Sequence, residues 1–243
     1  MIFLHGFLGT PSDWTRIVSH LDTDEACHCP LIPGHMSTSP PPLRNAFEYT
    51  VDLLHSGITQ ENDESNILVG YSLGGRIALE WATRYPERFS RLILISASFG
   101  IESEKERHSR LMWDTLKAEL LRKKGVERFM TEEWYNLDLF KDFAKSERFS
   151  SIVNSRLSHS CRYLADAFEA YSPGRQEPFF DKIDSLPPIT YIYGENDRKY
   201  ANLAANLKEA HSVETHGIND IGHVGHLEAP SKVARIINTA LNY

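Results

Sequence analysis

The stretch Val69-Gly70-Tyr71-Ser72-Leu73-Gly74-Gly75 constrains this chain more than any other. It reads G-x-S-x-G, after the apolar run Asn66-Ile67-Leu68-Val69 and before Arg76-Ile77-Ala78-Leu79-Glu80-Trp81-Ala82, where apolar residues recur at helical spacing. Strand, sharp turn and helix make this context a nucleophile elbow. A serine held on so tight a turn needs small neighbours on both sides, and the glycines supply them. The following helix directs its first amides at the same point, where they favour developing negative charge. A strand-to-helix turn carrying an idle serine is the plain alternative, and the rest of the chain decides between the two.

Upstream, Met1-Ile2-Phe3-Leu4 is an apolar run that stops in His5-Gly6-Phe7-Leu8-Gly9. A strand ending in such a loop leaves backbone amides free, which suits an oxyanion hole with Phe7 N–H as one donor and Leu73 N–H as the other. Thr10-Pro11-Ser12-Asp13 is a helix start, with Trp14, Ile17, Val18 and Leu21 on one apolar face. Cys27 to Ile32 reads as the next strand, broken at Pro33-Gly34-His35, and Leu43 to Ile58 as a helix with Phe47, Val51, Leu54 and Ile58 on one side. After the elbow helix and Pro86 comes the strand Arg91–Ser96. The alternation predicts an α/β protein with a mostly parallel sheet.

The pattern changes after Gly100. Glu102 to Lys124 is charged and helical, Gly125 opens a further amphipathic stretch, and no strand signal returns before Pro188–Tyr193. Trp113, Phe129, Trp134, Tyr135, Phe140, Phe143 and Phe149 are interleaved with charge and suit the core and underside of a helical insert. Residues 101–180 therefore read as an all-helical cap over the carboxyl edge of a sheet built from residues 1–100 and 181–243. Caps of this kind exclude water and supply specificity.

Beyond the strand at 188–193, Gly194-Glu195-Asn196-Asp197 puts a carboxylate on a turn. A helix (Tyr200 to Ala210) and a short strand (Val213-Glu214-Thr215) lead to Gly222-His223-Val224-Gly225-His226, and a closing helix runs from about Ser231 to Leu241. The order Ser72, Asp197, His223 is that of an α/β-hydrolase triad. His223 follows the strand-side glycine, where the triad histidine belongs. His226 and Glu228 are placed at the start of the last helix, in capping or packing roles.

Charge and cysteine usage narrow the function classes. Of 243 residues, 41% are hydrophobic, which suits one α/β domain with an inserted piece. No run approaches a membrane span and no charged-then-apolar leader opens the chain, so a cytoplasmic location is the expectation. Of the three cysteines, two flank His28 in Cys27-His28-Cys29. No second ligand pair with zinc spacing follows, so neither a metal nor any other cofactor is expected. The net charge of −7 argues against nucleic acid as a partner. Residues 101–180 carry 14 basic and 14 acidic residues, so the remainder, with 12 basic and 19 acidic, holds the whole excess. A neutral, arginine-bearing insert on an acidic body attracts an anionic ligand locally, although an ordinary solvated helical face has the same composition.

The motifs also carry a family likeness. Phe3-Leu4-His5-Gly6-Phe7, Val69 to Arg76, Trp134-Tyr135 followed by Leu139-Phe140, Gly194 to Tyr200, and Gly222 to His226 together resemble the SHCHC synthases (MenH type) over nearly the whole length. Those enzymes make 2-succinyl-6-hydroxy-2,4-cyclohexadiene-1-carboxylate in menaquinone biosynthesis. The resemblance implies a lyase in which Ser72, activated by His223 and Asp197, removes a proton alpha to a ketone and pyruvate is eliminated. It implies enolate stabilisation by the Phe7 and Leu73 amides, packing by Tyr71 and Trp134, and recognition of a small polycarboxylate by Arg76, Arg110 and Arg156. Arg110 matches through Asp114 four residues on, with Arg107 as the fallback, and Arg156 through its distance from the Leu164–Phe168 helix. Many such enzymes carry residues ahead of the Phe3–Phe7 segment, so either an edge strand has been lost or the true start lies upstream. Two other readings stand beside the lyase: a serine carboxylester hydrolase resembling the pimeloyl-carrier methyl esterases, with Ser72 as covalent nucleophile, and a binding protein without turnover.

Overall fold

In a computed structural model that describes residues 1–58, 66–211 and 213–241, five strands form one sheet in the order β1-β2-β3-β4-β5. They are β1 (Ile2–Leu4), β2 (Asn66–Tyr71), β3 (Phe89–Ile95), β4 (Ile189–Gly194) and β5 (Glu214–Ile218). Every pairing is parallel, and Leu68 and Leu92 sit side by side in the middle of the sheet. Parallel strands covered on both faces read as continuous apolar runs, as β2 and β3 do.

Alternate residues feed two cores. Leu68, Leu92 and Leu94 face one layer, with α2 (Ala46–Gly57), α3 (Leu73–Arg84) and α7 (Arg198–His211) contributing Phe47, Val51, Ile77, Trp81 and Leu207. Val69, Ile93 and Ile95 face the other, where Trp14, Ile17 of α1 (Thr15–Val18) and Val233 and Ile237 of α9 (Pro230–Leu241) pack.

The strand expected over Cys27–Ile32 is not formed. One parallel bridge joins His28 to Ile2 on the free side of β1, through Phe3 N–H to His28 O (2.8 Å) and His28 N–H to Met1 O (2.9 Å). Pro30 has no amide to continue the ladder, and Pro33 stops it three residues on. The bridge still matters for topology. The chain passes to one side of β1 at His28 and returns on the other side in β2, and such a reversal opens a crevice at the carboxyl ends of parallel strands.

Between β3 and β4 the regular elements are helical throughout: α4 (Glu104–Phe129), a π-helical turn at Met130–Trp134, α5 (Phe149–Arg156) and α6 (Cys161–Ala170), with short 3-10 turns between them. The expected break at Gly125 is a kink inside α4, where that residue takes φ 78°. The cap has its own apolar cluster, which includes Leu121, Phe129, Tyr135, Phe143 and Phe168 and takes in Leu8 from the loop after β1 and Val224 and Leu227 from the segment after β5. Those three contacts seat the cap over the carboxyl edge. Among the described residues, no helix is long and apolar enough to cross a membrane, and no three His, Cys, Asp or Glu side chains group to hold a metal ion.

Candidate active site

Ser72 stands between β2 and α3 with φ 51° and ψ −108°, a backbone that an L-residue adopts only under constraint. The constraint is steric. A Cβ at Gly74 would lie 2.1 Å from the Leu4 carbonyl oxygen, and one at Gly70 would lie 2.6 Å from Gly74 O. Only glycine lets β1, β2 and α3 approach closely enough to hold the turn.

Asp197 follows β4 and His223 follows β5, so three strand ends converge. His223 Nδ1 lies 2.7 Å from Asp197 Oδ2, and its Nε2 lies 3.4 Å from Ser72 Oγ. With Nδ1 donating to the carboxylate, Nε2 is left as the acceptor for the serine hydroxyl. Burial pushes the His223 imidazole below its ordinary pKa, and the hydrogen bond and charge of Asp197 oppose this only in part. The ring is therefore neutral at neutral pH, the form a base needs. His226 is placed otherwise. It belongs to the separate four-residue helix α8 (Gly225–Glu228), not to α9, and it caps nothing. Its ring packs at a tilt against Tyr71 (centroids 3.9 Å apart), and among the described residues neither ring nitrogen has a hydrogen-bond partner. Glu228, in the same helix, is pushed up to about 7 by burial.

The loop after β1 forms the opposite wall. Gly9 N–H bonds to Gly6 O (2.9 Å), closing a four-residue turn. Among the described residues, neither the Phe7 nor the Leu73 amide has a backbone acceptor. Both residues line the cavity above Ser72, so two unpaired N–H groups border the hydroxyl that His223 addresses.

Trp134 closes the cavity from the cap. The π-helical turn, fixed by Tyr135 N–H to Met130 O (3.0 Å), sets its ring 5.1 Å from Phe7 and 5.4 Å from Phe168. Arg76, one turn into α3, also lines the cavity, with Nη2 donating to Tyr171 O (2.9 Å) and the guanidinium 5.1 Å from the Phe47 ring centroid. Burial and the neighbouring Arg110 push it down to about 10, so it keeps its charge at neutral pH. Arg110 reaches the same cavity from α4. Its Nε lies 2.9 Å from each carboxylate oxygen of Asp114, which also accepts from Ser172 Oγ (2.5 Å). Among the described residues, this pair leaves the outer nitrogens of the Arg110 fork without a hydrogen-bond partner.

Two expected residues lie elsewhere. Tyr71 and Arg156 do not line this cavity but an adjoining recess that shares Ser72, Phe7, Trp134 and Phe140 with it. Arg156 is buried there, with Nη2 2.7 Å from Asp13 Oδ1 and Nη1 3.2 Å from Thr10 Oγ1. A further cation was missed: Lys199 lines the main cavity from the first turn of α7. Desolvation, followed by the nearby Arg110, presses its ammonium below the usual value. Its position two residues after Asp197 was the one available signal, because the first turn after a triad strand end faces the cavity.

The fold and the site define the class. The family described as alpha/beta hydrolase fold matches residues 1–230 of the chain, and the chain belongs to it. Within that class the likeness is narrower. The chain is 31% identical to the 2-succinyl-6-hydroxy-2,4-cyclohexadiene-1-carboxylate synthase of Citrobacter koseri, over 96% of its own length and 90% of the relative's. The solved structure of MenH from S. aureus superposes with a TM-score of 0.90 at 28% identity, covering 99% of this chain and 92% of that one. Protein PHYLLO of Arabidopsis thaliana is 31% identical over 96% of the chain, which spans only 15% of PHYLLO's length. The chain is a member of the 2-succinyl-6-hydroxy-2,4-cyclohexadiene-1-carboxylate synthase family.

Proposed function

We propose that this chain is the lyase its family name describes, releasing pyruvate from 2-succinyl-5-enolpyruvyl-6-hydroxy-3-cyclohexene-1-carboxylate to leave the 2,4-cyclohexadiene product. The observation that carries the reading is the charge of the cavity. Arg76, Arg110 and Lys199 face it against one carboxylate, Asp114, which is already held by Arg110 and Ser172. On a chain of net charge −7, such a local excess of cations suits a polyanion. Forked guanidinium groups suit carboxylates in particular.

In this reading Ser72 is the base. His223 Nε2 takes the hydroxyl proton as Ser72 Oγ takes the ring proton alpha to the succinyl ketone. The Phe7 and Leu73 amides hold the enolate oxygen, an electrostatic contribution that needs no reorganisation during the reaction. When the ketone re-forms, a double bond develops at ring carbons 2 and 3. The existing 3,4 double bond shifts to 4,5, and the bond from carbon 5 to the enolpyruvyl oxygen breaks. The departing enolate takes a proton and becomes pyruvate, which balances the reaction without oxidant or reductant. Arg76, Arg110 and Lys199 bind the carboxylates, and Trp134 packs on the ring from the cap. Arg156 acts from the adjoining recess, where its charge is shared with Asp13. Residues 1–100 and 181–243 supply the triad and residues 101–180 the lid.

The test is turnover of the enolpyruvyl substrate, read as pyruvate release, beside a panel of p-nitrophenyl esters. Pyruvate release with slow ester cleavage supports the lyase. Ester cleavage without pyruvate release overturns it in favour of a carboxylester hydrolase with Ser72 as nucleophile.

A further inference from the structure

We propose that His159, carried by the cap, is a positioning residue for the oxyanion loop: through the Leu8 carbonyl it holds the Gly6–Gly9 turn, and with it the Phe7 amide, beside Ser72. The inference rests on the triad chemistry proposed above, and it applies whether Ser72 acts as base or as nucleophile.

The turn needs an external hold. Its third residue, Leu8, has φ 63°, a left-handed backbone that glycine adopts freely and leucine does not. Such a conformation persists only where the surroundings determine it more than once. The Leu8 side chain is buried (1% exposed) in the cap's apolar cluster with Leu164 and Phe168. Its carbonyl oxygen lies 3.0 Å from His159 Nε2.

The direction of that hydrogen bond is settled by the other ring nitrogen. Met36 N–H donates to His159 Nδ1 at 2.6 Å, so Nδ1 is the acceptor and the proton sits on Nε2, which donates to Leu8 O. Ser160 N–H also bonds to Met36 O (2.7 Å), and this fixes the ring's support on both sides. Burial, with Arg156 near by, holds His159 down to about 4, so the neutral tautomer persists at any ordinary pH. At the other end of the turn, His5 plays the matching part with Nδ1 2.9 Å from Gly6 O while its Nε2 accepts from Ile32 N–H (3.1 Å). His5 is local to the loop, whereas His159 is 151 residues from Leu8. Seating of the cap is thereby a condition for the shape of the oxyanion loop.

Substitution can separate positioning from simple adhesion of the cap. His159→Gln places an amide N–H near the original Nε2 and keeps the donor to Leu8 O. His159→Asn keeps an acceptor near Nδ1 for Met36 N–H but cannot reach Leu8. His159→Leu keeps neither. For each, kcat and KM are read from pyruvate release, and a second rate from labelling of Ser72 by an alkyl fluorophosphonate. In that label the Ser72 Oγ–P bond forms as P–F breaks, fluoride leaves, and the hydroxyl proton passes to His223. The phosphoryl oxygen needs the same two amides, so labelling judges His159 even if the wild-type protein releases no pyruvate, which would end the lyase reading alone.

The expected result is a fall of about ten- to a hundredfold in kcat and labelling rate for Asn and Leu, with KM within about twofold, and near-recovery in Gln. Circular dichroism checks folding, and the Gln–Asn comparison stands if the Leu variant does not fold. Rates in Asn and Leu within about twofold of wild type overturn the proposal. So does an equal loss in Gln and Asn, or a change confined to KM.

Discussion

Arg156 and Asp13 meet at 2.7 Å with each side chain 3% exposed, one from the cap and the other from the first turn after the oxyanion loop. Breaking a buried pair leaves an uncompensated charge, which costs about 3–5 kcal/mol. Arg156→Ala should therefore lower the unfolding free energy by about that much and lower activity with it. In the double variant Arg156→Met/Asp13→Leu most of the stability should return while activity does not. Urea unfolding of both variants checks this. An Arg156→Ala protein of wild-type stability would mean that the guanidinium serves substrate rather than Asp13.

The triad prediction separates two histidines. Ser72→Ala and His223→Ala should each reduce turnover by about a thousandfold or more, because such groups act as a unit. Among the described residues His226 has no side-chain hydrogen-bond partner, and it packs on Tyr71, so His226→Phe should keep turnover within about tenfold of wild type. The acid limb of kcat/KM should fall below pH 6.5, since burial lowers His223 more than Asp197 raises it. A limb above pH 7, or a dead His226→Phe beside an active His223→Ala, would reassign the histidine that activates Ser72.

The legible and the hidden parts of this site differ by the distance over which their causes act. Ser72, its strand and its helix were legible because elbow, apolar run and helical spacing are all local. Asp197 and His223 were legible by order, each one turn beyond a strand. Cys27–Ile32 was read as a strand that breaks only at Pro33, but the missing amide of Pro30 already limits pairing to one bridge. Arg156 was placed by family likeness and its distance from the Leu164–Phe168 helix, whereas its pairing with Asp13, 143 residues away, had no local signal. His159 gave no signal at all: its role exists only once the cap places it against Leu8.

Cations that face the cavity should behave unlike those that face water. Arg76→Lys, Arg110→Lys and Lys199→Ala should each weaken kcat/KM with little change in unfolding, and Arg110→Ala should cost about 2–4 kcal/mol of transition-state binding. Lys123, exposed on α4, and Lys124, held by Glu132 and Glu133 on the outside of the cap, are the controls. Their alanine variants should change only a small, salt-screened on-rate. Equal effects at Lys123 and Lys199 would mean a diffuse positive field, and no effect anywhere would mean that the substrate is not a polycarboxylate.

The buried histidines should make the fold sensitive to mild acid. Burial pushes His5 down to about 3 and His159 to about 4, and holds His35 and His226 well below 6.5, with Arg156 near three of the four adding to the effect. Above pH 6.5 these rings are neutral whether the chain is folded or not, and they contribute nothing to the pH dependence. Below it the unfolded chain takes up protons that the folded one refuses, so stability falls from about pH 6.5 down toward 3. At pH 5 each such ring costs roughly 2 kcal/mol. Glu228 works in the opposite sense. Its raised value, about 7, lets the folded state bind a proton first, so its contribution is present below pH 4.5 and is lost as pH rises through 7. That offset is smaller than the sum of four rings, and Glu228 is only half-buried. The unfolding free energy should therefore drop by at least about 3 kcal/mol between pH 7 and pH 5, and Glu228→Gln should steepen the loss. Urea titrations at pH 7, 6 and 5 measure both. A flat profile over that range would mean that the histidines accept protons in place, with water or carboxylates reaching them inside the folded protein.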